Sequence, residues 1–120
     1  MILIDTSVAI KWLRGRDEQY RVQALHLLHN HLDGREDIIV PELLFIEVAN
    51  VLATKTDTTT VKLKKDLIKL NEFDLRIYRL ENEDIVTTAT QAKKFNTSVY
   101  DMLYVVIAQK QGISLYNAKK

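Results

Sequence analysis

Short aliphatic runs alternate with stretches of helical periodicity along this chain. Residues 2–4, Ile-Leu-Ile, are apolar at successive positions and stop at Asp5, which predicts a parallel strand buried on both faces. Thr6 or Ser7 offers an N-cap before Val8, Ile10, Trp12 and Leu13, so the chain should turn directly into a helix. Within 17–32, Tyr20, Ala24, Leu25, Leu28 and Leu32 recur at helical spacing, with Gly34 as terminator. The run "DIIVPELL" repeats the opening theme: a short strand, then Pro41 as first helical residue, where its missing N–H is no loss, and a helix to about Ala53. Residues 54–60 are polar and hold N-cap candidates for a helix carrying Val61, Leu67, Ile68 and Leu70. A third strand is expected over 75–80, then a helix opened by Asn82, Glu83 and Asp84. A last helix runs from about Ser98 to Gly112, and Ile113 to Tyr116 form a final strand. Strands and helices in this order predict an α/β domain with a parallel sheet covered on both faces.

The 120 residues suit one domain, with 47% hydrophobic and 28% charged positions, a balance that fills a core and solvates a surface. No apolar run is long enough to span a bilayer, and "MILID" reaches an acid too early for a signal peptide, so the expected location is cytoplasmic, away from membranes. With no cysteine, any metal must sit on oxygen or imidazole. A net charge of +1 sets up no strong overall field for nucleic acid. The denser basic spots, 62–65, Lys93 with Lys94, and Lys119 with Lys120, read as solvated helix faces or a chain end.

Three acids stand in unusually apolar surroundings. Asp5 ends the first strand, where ligands bind in open parallel sheets, although an aspartate there also suits a helix cap or turn. Glu47 lies among Phe45, Ile46, Val48 and Ala49, where a carboxylate needs a cation or a strong donor. Glu42, by contrast, is explained by the positive end of its helix. Asp101 interrupts "SVYDMLYVVIA"; Ser98 and Asp101 match a capping box, which accounts for this one acid. Carboxylates gathered at one place repel unless a divalent cation neutralises them, and all-oxygen ligation points to Mg²⁺ or Mn²⁺.

Carried by "LIDTSV", "VPELLFIEVANVL" and "TSVYDMLYVVIAQKQG", the chain resembles the PIN-domain family over nearly its whole length, and within it the VapC-type ribonuclease toxins of toxin–antitoxin pairs. The resemblance implies a three-layer α/β/α sandwich with a short parallel sheet and metal-dependent hydrolysis of RNA phosphodiester bonds. By position, Asp5, Glu47 and Asp101 are then the catalytic acids and ligands of Mg²⁺ or Mn²⁺, supported by Thr6, Ser7 and Asn117. It also implies an RNA substrate, a cognate antitoxin and a homodimer. The sequence departs from the family where a fourth acid is expected: "SLYNAKK" places Asn117 near the hydroxyl position and Lys119 near the aspartate, and no Asp or Glu follows Asp101. The chain stops where the family adds a further short strand or helix, so a sheet lacking that C-terminal strand is expected.

That departure motivates a second reading, a catalytically impaired PIN-like module that binds antitoxin or RNA without efficient cleavage. A phosphotransfer domain using Asp5 ranks below both, because Ser7 stands where a dehalogenase-like phosphatase has its second acid, and the acidic pair of a receiver domain is missing. His26, His29 and His31 read as surface histidines, Trp12 and Tyr100 as core or dimer contacts before base-stacking groups, and Tyr104 with 105–108 as core.

Overall fold

The computed structural model describes residues 1–14 and 19–118. Strand β1 (Ile2–Ile4) is followed by α1 (Thr6–Arg14), α2 (Gln19–Leu32), β2 (Ile38–Pro41), α3 (Leu43–Lys55) and α4 (Thr60–Glu72). Then come β3 (Arg76–Tyr78), α5 (Asn82–Phe95), α6 (Val99–Gln111) and β4 (Ser114–Tyr116). The four strands form one parallel sheet in the order β3-β2-β1-β4, and with the six helices they make a three-layer α/β/α fold. β1 and β2 are buried at every position, as expected for central strands covered on both faces.

Strand order places the site. From β1 the chain steps to β2 and β3 on one side, whereas β4 pairs on β1's other flank, Ile4 opposite Tyr116. The order therefore reverses at β1, and the crevice beyond the carboxyl end of that strand is where doubly wound sheets bind ligands. Asp5 is the residue there, its N–H bonded to the Tyr116 carbonyl at 3.2 Å.

Several end signals act as expected. The Ser98 hydroxyl accepts the Asp101 N–H at 3.0 Å and Thr59 accepts that of Lys62 at 3.1 Å. Gly112 closes α6 at φ 64°, a left-handed conformation that glycine adopts without penalty. Two expectations fail. Pro41 ends β2 instead of opening α3; it is buried opposite Tyr78 of β3, and a last strand residue can forgo a ladder N–H. Neither Thr6 nor Ser7 caps α1: Asp5 accepts the Ser7 N–H at 3.0 Å, which releases both hydroxyls for tertiary contacts. The expected start of the second helix at Asp17 lies outside the described residues.

His31 is not an ordinary surface histidine, although His26 and His29 are exposed. Its Nδ1 accepts the Ile38 N–H at 2.9 Å, so Nε2 carries the proton and donates to the Phe73 and Asp74 carbonyls, both at 3.1 Å. The ring thus joins α2 to the starts of β2 and β3. Of the basic run at 62–65, Lys62 pairs with Asp66 at 3.4 Å while Lys64 and Lys65 are exposed, a solvated helix face as read.

At the far end of α6, Lys110 Nζ meets the buried Asp84 carboxylate at 2.8 Å and Glu81 at 3.1 Å. Asp84 also accepts the Tyr78 hydroxyl at 2.9 Å and the Glu81 N–H at 3.0 Å, joining α6, α5 and β3. Burial opposes ionisation of Asp84, but the bonds from Lys110, Glu81 and Tyr78 outweigh it and hold the carboxyl below its ordinary 3.8. A depressed carboxyl contributes stability above its unfolded pKa and loses it as pH falls through the folded value. Thermal melts should therefore be level down to about pH 4 and drop below it, with a shallower acid limb in Asp84→Asn. Equal acid limbs in the two proteins would refute this assignment.

Candidate active site

Three helices meet beyond the carboxyl end of β1, and each offers side chains three or four positions apart. From α1 come Thr6, Ser7, Ile10 and Lys11; from α3, Glu47, Val51 and Lys55; from α6, Asp101 and Tyr104. With Asp5 they line one cleft of about 410 Å³. A cavity of equal volume opens at the amino ends of β2 and β3, but there His31 is bonded to backbone and Arg76 pairs with Asp37 at 3.1 Å, so its polar groups serve the fold.

All three sequence-predicted acids face the cleft, Asp5 and Glu47 half-buried and Asp101 exposed. Among the described residues, no three Asp, Glu or His side chains form a group able to hold a metal ion. Hydroxyl donors already engage two of the acids. Asp5 Oδ1 accepts the Ser7 hydroxyl at 2.5 Å as well as the Ser7 N–H. Glu47 Oε1 accepts the Thr6 hydroxyl at 2.9 Å and the Tyr104 hydroxyl at 2.7 Å. Both Glu47 contacts fall on one oxygen, and Oε2 accepts no hydrogen bond among the described residues. The donor set is therefore all oxygen, the chemistry a hard divalent cation prefers.

Tyr104 was expected in the core, and its ring is buried, yet its hydroxyl enters the site. Burial first, and then the Glu47 carboxylate, push that phenol well above its usual range, so it remains a donor. Its spacing from Asp101, three residues along one helix, was the sequence signal for it. Lys11 and Lys55 also line the cleft, neither within the basic runs that the sequence singled out. Asn117 does not reach the site: it is exposed and borders a separate small cavity with Tyr20 and Tyr116. Where support from this segment was expected, the Ala118 N–H donates to the Ser7 hydroxyl at 2.8 Å. Lys119, at the expected position of the fourth acid, lies outside the described residues.

A parallel sheet with reversed strand order, opening beyond β1 on a cleft of carboxylates, hydroxyls and lysines, defines an α/β protein with a ligand crevice at its switch point. Residues 2–116 match the PIN domain family, and the chain belongs to it. Members of this family are generally nucleases that depend on divalent metal ions. None of the curated proteins matches the chain. No described helix is long and apolar enough to cross a membrane.

Proposed function

We propose that this protein is an endoribonuclease dependent on Mg²⁺ or Mn²⁺, acting as the toxin of a toxin–antitoxin pair. The observation that carries the reading is the convergence of Asp5, Glu47 and Asp101 from three elements on one cleft at the strand-order reversal. These carboxylates would hold the ion, whose chemistry when bound is polarisation of the scissile phosphate and activation of water for in-line attack. Ser7 keeps Asp5 oriented, and Thr6 with Tyr104 keeps Glu47 oriented. Lys11 and Lys55 supply positive charge for phosphates of the strand. The toxin assignment rests on the VapC-like motifs around the three acids; a cognate antitoxin that covers the cleft and a homodimer belong to the same proposal.

Two observations favour one alternative, an impaired PIN-like module that binds RNA or antitoxin without efficient cleavage. Lys119 stands at the position expected for a fourth acid, and the described carboxylates are not gathered into a three-ligand group. Incubating a mixed RNA pool with the purified chain and Mg²⁺ or Mn²⁺, beside a chelator control, separates the two. Cleavage that disappears in Asp101→Asn and with chelator supports the nuclease. A silent native chain, with activity gained by Lys119→Asp, supports the impaired module instead.

A further inference from the structure

Beside the acidic cleft, on the other flank of α3, lies a second cavity of about 340 Å³ lined by Leu43, Ile46, Glu47, Asn50 and Tyr100. Glu47 lines both spaces, so one residue is their shared wall. Helical spacing builds the arrangement: positions 43, 46, 47 and 50 form one stripe of α3, and 47, 51 and 55 continue along the cleft. Across from this stripe, Tyr100 immediately precedes Asp101 in the first turn of α6. Tyr100 is 58% exposed and Ile46 67% exposed, so both are accessible beside the cavity. Tyr100 makes no hydrogen bond or ring contact among the described residues. Trp12, the other aromatic considered for stacking, is buried in the core and spent there on Phe73 and the Ala24 carbonyl.

We infer that the cavity beside Glu47 is a nucleobase subsite, in which Tyr100 stacks on one unpaired base of a single-stranded RNA while its phosphate backbone passes the acidic cleft. This rests on the ribonuclease reading and adds to it a base-binding position beside Glu47. The two linings select the occupant: on one side of Glu47 the acidic cleft also carries Lys11 and Lys55 beside the path of a phosphate backbone, and on the other an apolar floor with an aromatic plane suits a base. A planar base covers Ile46 and Leu43 while its edge meets the Asn50 amide, which carries both donors and an acceptor. Stacking accepts any base, so Tyr100 supplies affinity and Asn50 discriminates between bases. A duplex keeps its bases stacked and paired and presents none to the pocket.

The test is fluorescence anisotropy with a short single-stranded oligoribonucleotide and the native chain, in chelator so that binding is read without cleavage. Tyr100→Ala should weaken binding by roughly 10- to 100-fold, and Tyr100→Phe, which keeps the ring, should bind like the native chain. An abasic nucleotide at the pocket position should erase the difference between Tyr100 and alanine. Unchanged affinity in Tyr100→Ala overturns the subsite, as does an equal Tyr100 dependence for duplex RNA. Unchanged RNA affinity with a fall in particle mass would make this face a contact between copies and equally overturn it. The two readings fail separately: Tyr100-dependent binding without metal-dependent cleavage upholds the subsite and refutes the nuclease. Cleavage with unaltered affinity and cut sites in Tyr100→Ala refutes the subsite and leaves the nuclease.

Discussion

Replacing Glu47 with glutamine should lower RNA cleavage by about 100-fold or more while leaving the fold intact. Glutamine keeps an oxygen able to accept the Thr6 and Tyr104 hydroxyls that now meet Glu47 Oε1, so the packing between α1, α3 and α6 survives. What disappears is the negative charge, together with the second carboxylate oxygen, Oε2, that the described residues leave unused. Charge is what a cation site needs and what the three-helix contact does not, so the substitution separates chemistry from structure. Tyr104→Phe is the companion experiment. It removes one of two donors from Glu47 and should cost about 10- to 100-fold, as loss of a ligand-orienting partner does. Single-turnover cleavage rates set beside denaturation midpoints measure both effects. A Glu47→Gln protein that cleaves at the native rate would remove Glu47 from the chemistry and leave the hydroxyl contacts as structural fastenings.

The largest loss of stability is expected at Trp12, where alanine should destabilise the protein by about 3–5 kcal/mol. The indole is 2% exposed, meets the Phe73 ring edge to face at 5.6 Å, and donates Nε1–H to the Ala24 carbonyl at 2.7 Å. Alanine removes the ring, opens a cavity between α1, α2 and the end of α4, and loses the hydrogen bond. Trp12→Phe retains most of the ring and loses the donor, so about 1 kcal/mol is expected for it, with the remainder of the Ala effect assigned to packing. Urea unfolding monitored by circular dichroism gives both numbers. If the alanine protein matched native stability, α1 would not be anchored through this contact, and the position of Thr6 and Ser7 would need another source.

Anchoring matters here because α1 positions the site from both ends. Its first turn holds Thr6 against Glu47 and Ser7 against Asp5, while its last turn is fastened by Arg14, which bonds the buried Asp66 at 2.7 Å and also contacts Thr58. Loss of Trp12 should therefore reduce cleavage as well as stability, whereas Glu47→Gln should reduce cleavage alone. The same logic separates the ends of α6: Asp101 stands at the cleft, and Lys110 ties the opposite end to Asp84.

Local chemistry made part of this protein legible from its residues. Consecutive aliphatic positions at 2–4 and 38–40 announced central strands because both faces of such strands are buried, and Ser98, Gly34 and Gly112 marked helix ends through cap and left-handed geometry. Asp5, Glu47 and Asp101 were recognisable because a carboxylate among apolar residues demands a partner, and all three do line one cleft. Tertiary structure decided what depends on neighbours distant in sequence. Pro41 was assigned to a helix because its strand role needs Tyr78 opposite it, and His31 was read as surface because its partners lie at Ile38, Phe73 and Asp74. Periodicity buries both Tyr104 and Trp12, but only packing turns the hydroxyl of one toward Glu47 and spends the indole of the other on the core. The sequence by itself determined the elements, most of their ends and the three acids, because propensity, capping and burial are properties of short segments. The folded chain alone decided which hydroxyls hold those acids, which lysines face them and that Tyr100 stands beside Glu47 while Asn117 does not, because these depend on side-chain directions across elements brought together by the sheet.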